Sequence, residues 1–103
     1  MDIQLKKGLL EFCVLAVLNK YDSYGYQIIK EVSECIEISE STLYPILKRL
    51  EKDEYVQEYT QEHNGRLRKY YHITNSGKEH IQEFLNGWEQ ILRIYRFIGG
   101  SDE

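Results

Sequence analysis

The sequence has few of the residues that cross-linked or membrane-spanning proteins need. Its 103 residues include two cysteines, one proline and one tryptophan. Because two cysteines cannot form a disulfide framework, we expect Cys13 and Cys35 to be free, buried thiols in a reducing compartment, with a redox pair as the alternative. The apolar run at residues 9–18 is interrupted by Glu11 and is much shorter than the ~20 residues that span a bilayer. These features favour a soluble, cytoplasmic protein.

A large excess of positive charge is also missing. The chain has 13 lysine and arginine residues against 17 aspartate and glutamate residues, which gives a formal net charge of −4. This balance excludes a uniformly basic coat for nucleic acid. It is compatible with a local basic patch, because binding depends on where the charges lie.

Motifs for catalysis are absent from the sequence. There is no glycine-rich phosphate loop, no nucleophile motif and no pair of metal ligands at a recognisable spacing. The three histidines, His63, His72 and His80, lack the i, i+4 spacing of a helical metal site. We therefore expect neither an enzyme nor a bound metal or cofactor.

Three helices are predicted in the first half of the chain. Apolar residues recur at three- and four-residue steps over residues 4–19, about 23–35 and about 40–53. Asp22 and Ser23 offer a cap for the second helix, and Ser39 offers one for the third. The third helix gathers four apolar residues on one face: Leu43, Ile46, Leu47 and Leu50. Its outer surface carries Ser41, Tyr44, Pro45, Lys48, Arg49 and Lys52.

A β-hairpin is predicted next. Residues 55–60 and 66–73 are rich in strand formers, and Asn64-Gly65 between them is a strong turn signal. Strand alternation places Leu67, Lys69, Tyr71 and Ile73 on one face, and Arg66, Arg68, Tyr70 and His72 on the other. Residues 66–72 contain three cations and no acid, within an otherwise acidic chain.

The last predicted helix, over about residues 76–98, carries a coiled-coil seam. Its apolar positions recur at alternating steps of three and four: Ile81, Phe84, Trp88, Ile91, Tyr95 and Ile98. Leu85 and Leu92 widen this seam. An exposed seam of this length predicts a twofold interface backed by residues 9–18. The alternative is a helix that folds back on its own domain.

The order of elements predicts a mainly α protein with a small β hairpin. We expect a winged helix-turn-helix domain at residues 1–73 and a C-terminal dimerisation helix at residues 74–103. In a winged helix the third helix enters the major groove of DNA, and the hairpin, or wing, touches the backbone or minor groove. This geometry makes the basic outer surface of the third helix and the basic strand candidate DNA contacts.

The residues that we expect at DNA share hydroxyl, aromatic or cationic side chains on these two elements, apart from one proline. They are Ser41, Thr42, Tyr44, Pro45, Lys48, Arg49, Arg66, Arg68, Lys69 and Tyr70. Hydroxyls and cations suit phosphates, and arginine also suits guanine edges. The alternative is a solvated helix face whose cations pair with nearby acids, and the acid-free strand argues against it.

Four stretches of the chain carry a family likeness. They are residues 24–30 (YGYQIIK), 41–51 (STLYPILKRLE), 65–71 (GRLRKYY) and 73–77 (ITNSG). Together they resemble the PadR family of bacterial winged-helix transcriptional regulators. That family often has glycine before the Thr-Leu-Tyr and after the third helix, where this chain has Ser41 and Glu54. Glu54 would strain a turn that needs positive φ.

The resemblance implies a homodimer that binds an inverted-repeat operator, usually as a repressor. A chain with one helix after the winged domain is similar to the short branch of the family, whose last helix packs against the first and last helices of the partner subunit. The interface residues expected on this basis are Leu9, Phe12, Cys13, Ile81, Phe84, Leu85, Trp88, Ile91, Leu92 and Tyr95.

The resemblance also implies a possible ligand. Some short members leave a central pore in the dimer, where aromatic side chains stack planar hydrophobic compounds. Here Phe12, Trp88, Ile91 and Tyr95 are the candidate contacts, and simple packing of Trp88 is the alternative. The sequence as a whole thus predicts a dimeric, sequence-specific DNA-binding repressor released by a small planar ligand. The alternative function is a winged-helix module that binds a protein instead of DNA.

Overall fold

Helices and a small sheet follow one another in the order that the sequence predicts. The computed structural model describes residues 1–101. The helices are α1 (Ile3–Lys20), α2 (Gly25–Val32), α3 (Glu40–Lys52) and α4 (Asn75–Ile98). The strands are β1 (Ser23–Tyr24), β2 (Val56–His63) and β3 (Arg66–Ile73). The mainly helical, winged architecture is confirmed.

The sheet has one strand more than the predicted hairpin. Its order is β1-β3-β2, and both pairings are antiparallel. In β1, Ser23 lies opposite Tyr71 and Tyr24 lies opposite Tyr70. Two residues are too few to show an alternating pattern, so the sequence does not mark this strand. Its pairing ties the start of α2 to the wing.

The predicted cap of α2 is wrong. Tyr24 occupies the N-cap position, and no side chain bonds to the helix there. The Asp22 carboxylate instead accepts a hydrogen bond from the Tyr59 hydroxyl at 2.7 Å and lies 2.7 Å from Nδ1 of His72. Partial burial raises the pKa of Asp22, but the hydrogen bonds from His72 and Tyr59 outweigh it, so the pKa is lowered. Partners on the wing thus replace the local cap.

The hydrophobic core lies between the first three helices and the inner face of the sheet. α3 contributes its predicted apolar face, namely Leu43, Ile46, Leu47 and Leu50, all buried. α1 contributes Leu10, Val14, Leu15, Val17 and Leu18, and the sheet contributes Val56, Tyr71 and Ile73. Because this packing buries the inner face of α3, the polar outer surface of the helix stays exposed.

The two thiols are less buried than predicted. α2 ends at Val32, and Cys35 lies exposed in the turn that follows, so the expectation of a buried thiol is wrong for Cys35. Cys13 is partly buried against the core. Burial raises the pKa of the Cys13 thiol, and the proximity of Cys35 raises it further.

The end of α3 is a Schellman motif, in which the last carbonyls of a helix bond to amides beyond its end. The Tyr55 amide donates to the Leu50 carbonyl at 2.9 Å, and the Glu54 amide donates to the Glu51 carbonyl at 3.0 Å. Glu54 adopts φ 66°, a conformation that favours glycine. The strain expected at this departure from the family pattern is confirmed.

α4 begins at the edge of the core and projects away from it. Oγ1 of Thr74 accepts a hydrogen bond from the Gly77 amide at 3.1 Å and donates to the Glu54 carbonyl at 2.7 Å. Gly77 is the buried residue of α4, and the backbone of Tyr55 occupies the space that a side chain there would need. Residues 1–101 contain no helix that is long and apolar enough to cross a membrane.

Replacing Glu54 with glycine is expected to stabilise the protein by about 0.5–1 kcal/mol, since the left-handed conformation costs an L-residue ~1–2 kcal/mol and the greater freedom of glycine in the unfolded chain offsets part of the gain. Urea denaturation measures the difference. Glu54→Ala removes the same charge but keeps the Cβ, so it should leave stability close to wild type. Equal stabilisation by both variants would contradict the backbone explanation.

Candidate nucleic-acid interface

The start of α3 presents a cluster of hydroxyls. Ser39 occupies the predicted N-cap position but makes no side-chain bond to a helix amide. Its Oγ lies 3.0 Å from Oγ of Ser41 and 3.2 Å from Oγ1 of Thr42. The capping bond itself is therefore a wrong prediction, because the hydroxyls bond to one another. Their position at a helix N-terminus suits the approach of an anion.

Packing of the buried face of α3 keeps the opposite face of the helix at the protein surface. Ser41, Tyr44, Pro45 and Lys48 are exposed, and Thr42 is half-buried. Pro45 lies within the helix and cannot donate a backbone hydrogen bond. The Tyr44 ring packs against Gly25 at the start of α2, where any side chain would collide with the ring hydroxyl.

The wing follows the predicted alternation. β2 and β3 pair from Val56 opposite Ile73 to His63 opposite Arg66. Asn64 and Gly65 both adopt positive φ, at 52° and 81°, as a tight two-residue hairpin turn requires. The inner face of β3 is buried from Tyr71 onward, and the wing tip stands free of the core.

One groove joins the outer surface of α3 to the wing. It contains four predicted contacts, namely Tyr44, Arg66, Arg68 and Lys69. The end of β1 and the start of α2 supply Tyr24, Gly25 and Tyr26, which are not among the site residues predicted from the sequence. The Tyr-Gly-Tyr pattern carried the family likeness, but only the position of β1 beside β3 shows that it lines this groove. The groove therefore combines three cations with three tyrosine rings.

A second groove runs between α3 and the inner side of the wing. Lys48 and Lys69 line it together with two carboxylates, Glu51 and Glu58. Nζ of Lys69 lies 3.7 Å from Oε1 of Glu58. Burial raises the pKa of Tyr71 at the base of the groove to about 12, and the nearby charges of Glu58, Tyr44 and Glu51 add to the rise. This surface is mixed in charge.

Arg49 lies on the opposite side of α3 from the wing. It lines a separate groove with Lys7, Ser41, Thr42 and Pro45. Its Nε donates to Oε1 of Glu11 at 3.2 Å, and the Glu11 side chain is 16% exposed. A DNA contact by Arg49 would compete with this ion pair. The ten predicted DNA residues thus fall into distinct clusters along the surface.

Glu11 also connects α3 to the base of α4. Its Oε2 lies 3.4 Å from Nε2 of His80. The His80 ring lies between Tyr55, at a centroid distance of 4.1 Å, and Phe12, at 4.8 Å. No group of three or more His, Cys, Asp or Glu residues within the described part of the chain could hold a metal ion.

The face of α4 predicted for dimerisation is half-buried near its base and exposed beyond it. Phe12 of α1 stacks on Phe84 at 4.1 Å, and Phe84 stacks on Trp88 at 6.0 Å. Leu9, Cys13, Ile81 and Leu92 are likewise half-buried. Leu85, Trp88, Ile91 and Tyr95 are exposed, as are Ile94, Phe97 and Ile98. Of the predicted ligand contacts, Phe12 is separated from Trp88 by Phe84.

Tyr70, predicted at a phosphate, lies in an aromatic cluster on the outer face of the sheet. Its ring stacks on Tyr59 and meets Tyr24 edge-on, both at 5.6 Å. Tyr70 is half-buried by these contacts. The cluster ends at Arg68, whose guanidinium carbon lies 3.9 Å from the centre of the Tyr24 ring.

Known proteins share both this sequence pattern and this fold. The profile of the PadR-like family of transcriptional regulators matches residues 14–83. A protein of Streptococcus mutans UA159 is 44% identical, with 92% of each chain covered and a TM-score of 0.77. A PadR-like transcriptional regulator from Bacillus cereus is 30% identical, with 95% of this chain and 99% of that chain covered and a TM-score of 0.81.

A solved structure of Bacillus subtilis PadR in complex with operator DNA is similar over 75% of this chain and 45% of that chain, with 27% identity and a TM-score of 0.67. The matched family consists of transcriptional regulators rather than enzymes. The profile match spans β1, α2, α3 and the whole wing, which are the elements that form the groove between α3 and the wing. By sequence and by fold, this chain belongs to the PadR-like family of transcriptional regulators.

Proposed function

We propose that the protein is a homodimeric regulator that binds a specific inverted-repeat DNA operator through α3 and the wing. The observation that carries this proposal is the groove that joins Tyr44 of α3 to Arg66, Arg68 and Lys69 of β3. In a winged helix, α3 lies in the major groove and the wing contacts the adjacent backbone. The Bacillus subtilis neighbour, solved in complex with operator DNA, supports DNA binding here.

Electrostatics supports a local rather than a general attraction to DNA. The chain as a whole is acidic, at −4. Lys48 and Arg66 have no ion-pair partner among the described residues and can meet phosphates directly, whereas Arg49 and Lys69 must first exchange a carboxylate for a phosphate. Repulsion by the remaining acidic surface limits nonspecific binding, so sequence-dependent contacts decide where the protein binds.

The exposed face of α4 supports a homodimer. Trp88, Ile91 and Tyr95 are between 40% and 50% exposed, and Ile98 is 78% exposed. A contiguous apolar stripe of this kind is typical of an interaction surface. A twofold partner would cover it with the same stripe, and two α3 helices would then face successive major grooves of an inverted repeat.

We further propose that the dimer acts as a repressor and that a ligand releases it from DNA. A repressor of this kind blocks transcription while both α3 helices match the spacing of the operator half-sites. A planar hydrophobic ligand that enters between the two α4 helices at Trp88 would favour a dimer with a different α3 spacing. Release then requires that the ligand bind the second dimer shape more tightly than the first.

The DNA contacts can be tested with the triple variant Arg66→Ala, Arg68→Ala, Lys69→Ala. Fluorescence anisotropy on a fragment from the upstream region of its own gene should show specific binding by the wild type. The variant should bind the fragment on the order of 100-fold more weakly. The slope of log K against log salt concentration should become shallower by about three, because each lost contact no longer releases counterions. The matched control, Lys20→Ala, Lys30→Ala, Lys78→Ala, changes net charge equally but lies outside the groove.

Equal losses in both triple variants would contradict a localised contact. Absence of specific binding by the wild type at low salt would overturn the proposal of DNA binding. Retained regulation without DNA binding would instead favour the protein-binding winged-helix module.

Dimerisation through α4 can be tested with Ile91→Glu, which places a charge in the exposed seam. Sedimentation equilibrium should give the wild type twice the 12.3 kDa of one chain and give the variant a much weaker association. Gln90→Glu adds the same charge beside the seam and should remain dimeric. A monomeric wild type at micromolar concentration would be incompatible with the dimer proposal.

The ligand proposal predicts that Trp88→Leu separates DNA binding from release. Anilinonaphthalene sulfonate, a probe with a planar, apolar naphthalene ring, should quench the single tryptophan of the wild type and lower its DNA affinity. The variant should bind DNA like the wild type and stay bound when the probe is added. Tyr21→Leu removes an aromatic ring elsewhere and should respond like the wild type. Probe-induced release of the Trp88→Leu variant would contradict this role.

A further inference from the structure

The guanidinium of Arg68 is held by an aromatic ring rather than by a carboxylate. Its carbon Cζ lies over the Tyr24 ring, 3.9 Å from the ring centre. A guanidinium held over an aromatic ring keeps the N–H donors that point away from the ring available. Arg49 and Lys69, by contrast, already have carboxylate partners. The partner of Arg68 is therefore an uncharged ring, Tyr24, which does not compete with an anion for the guanidinium.

The Tyr24 ring is itself fixed by a row of contacts across the sheet. The backbone of Tyr24 pairs with Tyr70 in β1 and β3, and the two rings meet edge-on at 5.6 Å. Tyr70 stacks on Tyr59 at 5.6 Å with an angle of 16° between the rings. The orientation of Tyr24 thus depends on β3 directly and on β2 through the contact between Tyr70 and Tyr59.

Asp22 closes the other end of this row. Its carboxylate accepts the hydrogen bond of the Tyr59 hydroxyl and lies beside His72. The bond to Asp22 raises the pKa of Tyr59 to about 12, as expected for a hydroxyl that donates to a carboxylate. A fixed row of rings lowers the conformational entropy that Arg68 loses when it binds.

From this geometry we propose that Tyr24 is a positioning residue for DNA binding, which holds Arg68 so that its free edge binds one phosphate beside the major groove entered by α3. This inference rests on the proposed DNA-binding function. Arg68 and Tyr44 line the same groove, and Tyr44 in turn packs on Gly25, the residue after Tyr24. A phosphate bound there lies next to the recognition surface, where it can set the register of α3 on the duplex.

The test measures DNA affinity against salt concentration for variants at positions 24 and 68. Tyr24→Leu should weaken binding about two- to fivefold, the effect of losing an exposed cation–π contact. It should also lower the salt slope by up to about one, as expected when one phosphate contact is lost. Tyr24→Phe keeps the ring face and should bind like the wild type. Tyr21→Leu, a ring removed outside the groove, is the control.

Double variants separate positioning from mere stability. In an Arg68→Ala background, Tyr24→Leu should cause no further loss, because the two residues act through one contact. Arg68→Lys keeps the charge but not the planar stack, so it should resemble Tyr24→Leu. Lysine at this surface position leaves the core intact, so this variant gives an answer even if Tyr24→Leu does not fold.

Three outcomes would overturn the inference while DNA binding itself stands. In the first, Tyr24→Leu or Arg68→Lys binds DNA with wild-type affinity. In the second, Tyr24→Leu lowers DNA affinity equally with and without Arg68. In the third, the variants change the preferred base sequence while the salt slope stays constant. The last outcome would assign Arg68 to a base edge. If the wild-type protein binds no DNA, the proposed function itself is overturned. This result is obtained before any variant is compared.

Discussion

Burial of one face of α3 is the constraint on which the rest of the molecule depends. Leu43, Leu47 and Leu50 are at most 1% exposed, and they lock the helix against α1, α2 and the sheet. An amphipathic helix held by that face presents its other side to solvent at a fixed angle. The exposed Tyr44 and Lys48 are therefore held in place, and the proposed DNA-binding surface is a consequence of the packing beneath it.

The wing completes this surface through backbone pairing rather than through a core of its own. β3 pairs with β2 along its whole length and with β1 at its inner end. The pairing with β1 draws the aromatic start of α2 under the basic strand, so Arg68 meets Tyr24. The cations of α3 and the wing differ in their contacts. Arg49 and Lys69 are paired with carboxylates, whereas Arg66 has no ion-pair partner within the described residues.

α3 and α4 are linked at a single carboxylate. Glu11 lies within ion-pair distance of Arg49 on α3 and of His80 on α4, and His80 is enclosed by the rings of Phe12 and Tyr55. A change in the angle of α4 must act on these contacts. In the proposed dimer, the same base of α4 therefore connects the subunit interface to the recognition surface.

Strong local patterns carried most of the fold. The apolar spacing of α3, the Asn64-Gly65 turn and the seam of α4 each have a period or a turn geometry that few structures share, so their elements match the predictions. The predicted cap at Asp22 and the predicted burial of Cys35 were wrong. Asp22 bonds to a partner on the wing, and Cys35 lies exposed beyond the end of α2. Both outcomes depend on distant parts of the chain.

The sequence by itself determined the order of the elements, the inner and outer sides of α3 and the alternation of β3, because these follow from local periodicity. Only the tertiary structure decided that β1 exists, that Tyr24 lies under Arg68, and that Glu11 pairs with Arg49. These contacts join residues far apart in the chain. Such pairings leave no periodic signal, since they arise only when packed elements bring their side chains together.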